Sequence, residues 1–134
     1  MSFKLSVVAP DQTVFEDTVA SVTVPGVEGY MGLLSFHEPV IAALQHGIIE
    51  CRLDSGETQS IAITGGFMEA SDNKVIILAD NAVRAAEIDI AVAEKELEEA
   101  RKALRGESSS ITSEEAEEVM RRAMVRIRAA RKAS

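Results

Sequence analysis

Two histidines, one cysteine and a run of arginines near the C-terminus are the side chains with the chemistry to act on something. His37 and His46 stand nine positions apart, with no third ligand at metal-site spacing, and neither H-E-x-x-H nor C-x-x-C occurs. Catalysis needs a nucleophile, a base and an orienting group within reach of one another. No such set is spelled out here, and His37 reads as a hydrogen-bonding loop residue. Cys51 falls at a strand position, as a small buried apolar side chain would. There is no G-x-x-x-x-G-K-[ST] phosphate loop. Gly26, Gly29 and Gly32 are spaced G-x-x-G-x-x-G with no helix following at once, so they read as loop geometry rather than a dinucleotide fingerprint. The expectation is therefore no catalytic residue, no metal and no cofactor.

The charged residues suit binding better. Glu38 is either a solvated loop carboxylate or a partner for a basic group. Arg121, Arg122, Arg126, Arg128, Arg131 and Lys132 gather near the C-terminus. They are either a solvated helix face that complements the helix dipole or a cationic probe for an acidic surface, bound in a salt-dependent way.

The elements that must position these residues divide the chain in two. From Phe3 to Ala79 apolar and polar residues alternate in short runs: Phe3, Leu5 and Val7; Val22 and Val24; Ile49, Cys51 and Leu53. Period two places one face of each strand in the core and the other in water. Val75-Ile76-Ile77-Leu78 is continuous and reads as covered on both faces. Turn chemistry separates the runs at Pro10-Asp11, Asp54-Ser55-Gly56 and Ser71-Asp72-Asn73. Gly65-Gly66 predicts a bulge or a close backbone approach. Val24 to Leu44 concentrates glycine and proline and predicts a shaped loop serving as a contact surface, with Met31, Leu33 and Leu34 held between its turns. Together these predict a β-sandwich over residues 1–84.

Beyond Asn81 the pattern becomes helical. Ile90, Ala93, Leu97, Ala100 and Leu104 form one stripe, in a helix read from Ile88 to Arg105 and stopped by Gly106. Ala116, Met120, Ala123, Ile127 and Ala130 form a second, opened by Thr112 and Glu115 at capping-box spacing. Glu117–Arg121 and Glu118–Arg122 are expected as i,i+4 pairs. The alanine-rich stripes predict an antiparallel two-helix hairpin over residues 85–134, held thinly enough to change position.

Composition agrees. In 134 residues the apolar fraction of 46% supports a core, while the aromatic fraction of 4% and net charge of −8 argue against binding nucleic acid or anionic lipid. One cysteine allows no internal disulfide. No signal peptide is visible at MSFKLSVVAP, and no run approaches the roughly 18 apolar residues that a membrane helix needs, so membrane association is expected only through a partner.

Several motifs together resemble one family along essentially the whole chain: Val8-Ala9-Pro10-Asp11, Val24-Pro25-Gly26 with Glu28-Gly29, Gly32-Leu33-Leu34, His37-Glu38-Pro39, Gly65-Gly66-Phe67-Met68-Glu69, Leu78-Ala79-Asp80 and Ala85-Ala86-Glu87-Ile88-Asp89. The chain resembles the epsilon subunit of the F-type ATP synthase. It departs from that pattern at Ser35-Phe36-His37, where the family carries Pro-Asn-His or Pro-Gly-His, and at Val92, where ATP-binding members carry arginine.

The resemblance implies a β-sandwich followed by a helical hairpin, in a non-catalytic rotor subunit that couples catalysis to ion translocation. It implies contact with the gamma subunit, contact with the c-ring through Tyr30, Met31, Phe36, His37 and Glu38, and regulation of ATP hydrolysis by the hairpin. Arg121, Arg122, Arg126 and Arg128 would then meet an acidic beta-subunit surface within the alpha–beta hexamer. Asp89, Arg122 and Arg126 are the positions it offers for ATP, under an alternative reading as an ATP-sensing module. The implied location is the cytoplasmic face of the bacterial inner membrane, peripheral and as part of the complex.

Overall fold

The computed structural model describes residues 1–35, 37–107 and 111–133. The expectation placed on Phe36 lies outside the described residues. The chain runs β1 (Phe3–Ala9), β2 (Gln12–Gly26), β3 (Gly29–Leu34), β4 (Val40–Leu53), β5 (Thr58–Ser71), β6 (Lys74–Ala79) and β7 (Ala82–Arg84). A 3-10 turn at Ala85–Glu87 leads into α1 (Ile90–Leu104) and α2 (Ser113–Ala133).

The strands form a β-sandwich because the long ones serve both layers. The first half of β2 pairs with β1 and its second half pairs with β4 and β3. Likewise β5 lies along β4 throughout, while its other edge takes β7 at Ile61–Ile63 and β6 at Gly66–Ser71. A parallel pairing of β1 with β6 closes the circuit. Inside lie the period-two residues Leu5, Val7, Val19, Val22, Ile49, Ile61, Ile63, Met68 and Ile77, which pack as one core. Cys51 sits among them, as expected of a small apolar side chain.

The predicted turns form. Pro10-Asp11 joins β1 to β2. Asp72 and Asn73, with φ of 51° and 57°, make the two-residue hairpin between β5 and β6 that suits right-handed strand twist. The Gly56 N–H donates to the Leu53 carbonyl at 2.9 Å in the turn between β4 and β5. Gly65 and Gly66 both have positive φ, and a Cβ on Gly66 would strike the Leu78 carbonyl oxygen, so the close approach is real.

Two strand expectations change. The Val24–Leu44 stretch is a β-hairpin more than a loop: Gly26 pairs with Gly29 across Val27-Glu28, and β3 continues to Leu34. Met31 and Leu33 turn inward while Tyr30, Gly32 and Leu34 turn outward. Glycines at the alternate positions hid that period. In β6, Val75 and Ile77 are buried but Ile76 and Leu78 are 41% and 56% exposed, so only one face is covered. No described strand or helix lies over the other.

The helices form an antiparallel hairpin. α1 begins at Ile90, two residues later than its pattern suggested, because Asp89 caps it by accepting from the Val92 N–H at 3.3 Å. Its end is a full Schellman closure: with φ of 78° at Gly106, the Gly106 N–H donates to the Ala103 carbonyl and the Glu107 N–H to that of Lys102. The capping box of α2 is reciprocal, Thr112 Oγ1 accepting from the Glu115 N–H at 3.1 Å and Glu115 Oε1 from the Thr112 N–H at 3.2 Å.

One helical pair is replaced. Glu117–Arg121 forms at 3.5 Å, but Arg122 turns to Glu96 of α1 at 3.7 Å and Glu118 turns to His46 of β4. Contacts between elements win here over contacts along one helix surface.

Candidate functional site

Three surfaces of the molecule could bind something, and each follows from how a strand or helix divides its residues between faces.

The first is the outer face of β4, β5 and β6. Register sets Ile41 beside Glu69 and Glu69 beside Ile76, and in the next row sets Ala43 beside Phe67 and Phe67 beside Leu78. Their sequence neighbours Met68, Ala70, Val75 and Ile77 all point into the core. Ile41, Phe67 and Leu78 are 74%, 60% and 56% exposed. Exposed apolar side chains gathered around a single carboxylate, Glu69, mark an interaction site. The sequence reading missed it, although Phe67 and Leu78 carry a signal: each is apolar at the parity that period two assigns to water.

The second surface is the β2–β3 hairpin. Tyr30 is pinned, its hydroxyl accepting from the Ile48 N–H at 3.1 Å, and Gly47 leaves room for that hydroxyl. Met31 packs against the core. The His37 Nδ1 lies 2.8 Å from the Leu34 carbonyl oxygen and its ring meets Phe3 edge to face, so it is a hydrogen-bonding connector, as its sequence context suggested. Glu38 stands in solvent, and Val27 and Leu34 are exposed on β3 and the turn before it. A cleft of about 500 Å³ lies between this hairpin and the start of β4, lined by Val27, Tyr30, Met31 and Ile41 among others.

The third surface is the helical hairpin, which lies docked on the sandwich. Its anchor is a row of outward residues on the sheet: Ile48 beside Ala62 in register, joined by Ala85 and Ile88. Val125 and Ala129 of α2 pack onto that row. They form a second apolar stripe on α2, beside the predicted one that faces α1. Polar contacts flank it. Arg126 Nη2 donates to Asn81 Oδ1 at 2.8 Å, Lys132 Nζ lies 2.8 Å from Glu50, and His46 Nε2 lies 3.0 Å from Glu118. Partial burial and the nearby Arg122 charge lower the pKa of Arg126, with Glu96 opposing.

These contacts occupy most of the arginines singled out in the sequence. Arg121 pairs with Glu117 and Glu118, Arg122 with Glu96, and Arg126 with Asn81. Arg128 instead borders an open groove of about 370 Å³ with Leu97, Arg101, Met124, Ile127 and Arg131. Asp89 and Arg126 do come together, in a cleft of about 140 Å³ with Val92 and Glu96. That space is below the few hundred Å³ of a typical small-molecule site. Asp89 is engaged as a helix cap and Arg126 as a docking contact in this state. Among the described residues no group of acidic, histidine or cysteine side chains could hold a metal, and no helix is long and apolar enough to cross a membrane.

Comparison with known proteins matches both parts of the chain. A family model for the β-sandwich domain of the ATP synthase delta/epsilon chain covers residues 2–85, and one for the long α-helix domain of the same chain covers residues 86–131. The ATP synthase epsilon chain of Moorella thermoacetica is 40% identical over 129 residues, 96% of this chain and 96% of the relative. That of Symbiobacterium thermophilum is 41% identical over 127 residues, 94% of this chain and 91% of the relative. In the structure of the Euglena gracilis mitochondrial ATP synthase, comprising OSCP, F1 and c-ring, one chain superposes with a TM-score of 0.75 at 30% identity, covering 90% of this chain and 76% of that one. A chain of the Tetrahymena thermophila central stalk and c-ring structure gives a TM-score of 0.55 at 14% identity, a likeness of fold.

Proposed function

The chain belongs to the family of ATP synthase epsilon chains, non-catalytic subunits of that complex, and on that premise we propose that it is a rotor subunit whose sandwich holds the central stalk while its hairpin regulates ATP hydrolysis. The observation that carries this reading is the division of labour between faces. One sheet face is apolar and open (Ile41, Phe67, Leu78), and the opposite part of the sheet is covered by helices held through small residues and a few polar contacts.

The open face is the surface for the gamma subunit. Burying residues of this size removes roughly 25 cal/mol per Å² of apolar surface from water, a gain available only to a partner. The β2–β3 hairpin, with Tyr30, Met31, His37 and Glu38 and the exposed Val27 and Leu34, faces the c-ring. The complex is thereby peripheral to the membrane, on the cytoplasmic face of a bacterial inner membrane.

The hairpin is the regulatory element. While docked, it spends Arg121, Arg122 and Arg126 on internal partners. Release from the sheet frees Arg126 from Asn81, and Arg121 and Arg122, whose glutamate partners lie within the hairpin, join it and Arg128 against an acidic beta-subunit surface by exchanging those partners. Inhibition then requires undocking, and coupling to ion translocation does not. Residues 1–84 and 85–134 act as two functional units in this scheme. Asp89 caps α1, Arg122 ties α2 to α1 and Arg126 ties α2 to Asn81, and no nucleotide is needed as a cofactor.

Co-purification with a gamma subunit tests the assignment of the open face. The wild-type chain is expected to retain gamma, and Phe67→Glu to lose it while keeping a native circular dichroism spectrum, since Phe67 lies outside the core. Retention of gamma by Phe67→Glu would remove this face from the interface.

A further inference from the structure

Along the seam of the helical hairpin, apolar and cationic side chains meet in an open groove of about 370 Å³. Leu97 and Arg101 of α1 line it with Met124, Ile127, Arg128 and Arg131 of α2; among the described residues no strand residue and no carboxylate does. We propose that this groove is a binding site for a free medium-chain fatty acid, its chain lying on Leu97, Met124 and Ile127 and its carboxylate met by Arg101 and Arg128.

The helix period builds the groove. Leu97 and Arg101 are four positions apart, and Met124, Ile127, Arg128 and Arg131 repeat at i, i+3, i+4 and i+7, so each set forms one stripe on its helix. Val125 and Ala129 are the residues that α2 turns to the sheet, so the groove stays open while the hairpin is docked. Ile127 is 7% exposed and forms a floor. Met124 is 46% exposed, and its unbranched thioether can fold over a flexible chain. The site needs only that α1 and α2 stay packed together, so it stands apart from the rotor assignment.

Charge selects the head group. The sequence has 22 acidic against 14 basic residues, yet this lining has three arginines and no acid. Other arginines of the hairpin are already engaged: Arg105 with Glu98 and Glu107, Arg121 with Glu117, Arg122 with Glu96 and Arg126 with Asn81. Among the described residues none pairs with the side chain of Arg101 or Arg128. A guanidinium beside an apolar floor suits a carboxylate, which it can bind through two parallel hydrogen bonds. Size selects a small ligand over a partner helix. Met124 to Arg131 covers two turns, about 10 Å, which is shorter than an ordinary helix, while the volume lies in the range of small-molecule clefts.

Calorimetric titration of the full chain with decanoate, decanol and decyltrimethylammonium, each below its aggregation limit, tests the site. Carbon-13 labelling of the methionine methyls locates the ligand by NMR. Decanoate is expected to bind saturably and to shift the Met124 signal, decanol to bind several-fold more weakly and the cation not to bind. Arg101→Gln and Arg128→Gln should each weaken decanoate about two- to fivefold, the scale of an exposed ion pair, and leave decanol unchanged. Absence of saturable binding, or equal affinity for acid and alcohol, overturns the site. So does loss of decanoate binding in Phe67→Glu with the Met124 signal unmoved, which would place the ligand on the open sheet face. Binding of phosphatidylglycerol vesicles, or of an acidic helical peptide, without binding of free decanoate overturns it as well.

Discussion

Gly66 has no room for a side chain. A Cβ there would strike the Leu78 carbonyl oxygen and lie 2.9 Å from the Ala79 Cα, at a φ of +146° that other residues rarely adopt. Gly66→Ala is therefore expected to destabilise the chain by roughly 2–3 kcal/mol in urea unfolding, from strain and overpacking together. Cys51 makes a different test. Burial, aided by Asp17 and Glu50 and opposed by a backbone hydrogen bond at Gln59, pushes its thiol up from 9.0 to about 11. The folded state thus favours the neutral thiol. That stabilisation is complete below the ordinary thiol range and is lost as pH climbs from about 9 to 11. Over this window the wild type should lose about 2–3 kcal/mol relative to Cys51→Ala, measured by urea midpoints at each pH. Both residues were legible in the sequence, because a glycine pair between strands and a cysteine at an inward parity each admit one simple reading. His46 was not. Its partner lies 72 positions away on α2, and nothing in the spacing of either residue announces the other.

The elements show the same contrast between local and non-local information. Most caps and turns were readable, since Thr112 with Glu115, Gly106, and Asp72-Asn73 act through neighbours within a few positions, though the Asp89 cap that starts α1 at Ile90 was not. The course of β3 was obscured, because Gly26, Gly29 and Gly32 look like a loop until pairing with β2 gives them a register. The outward parity of Phe67 and Leu78 was obscured by a run of apolar residues that mimics a strand buried on both faces. On α2, the stripe facing α1 was visible but the one facing the sheet was not, because alanines and a valine among arginines look like a solvated face. Ala129 tests this second stripe. It is fully buried against Ile48, Ala62 and Ala85. Ala129→Glu would bury a carboxylate without a partner, and such a group is not tolerated in an apolar contact. The variant should undock the hairpin, seen as tryptic cleavage after Arg122 and Arg126, while the main core around Ile49, Ile63 and Ile77 stays folded and the sandwich resists digestion.

In the whole molecule the sandwich core is separate from the cluster under α2, so losing the helices exposes Ile48, Ala62 and Ala85 but does not open the interior. Under the proposed function, the sandwich would go on holding the stalk while the hairpin leaves it and returns. Net charge fits this arrangement. Met1 to Ala85 carries 4 basic against 11 acidic residues, whereas Ala86 to Ser134 carries 10 against 11, so the helical part holds a high density of cations, of which docking ties Arg126 and Lys132 to the sandwich. The most direct measurement is the ATP hydrolysis rate of the assembled complex carrying either the full chain or the chain lacking residues 87–134. The predicted result is unchanged assembly with a higher hydrolysis rate for the shortened chain. An equal or lower rate in a fully assembled complex would contradict a regulatory hairpin.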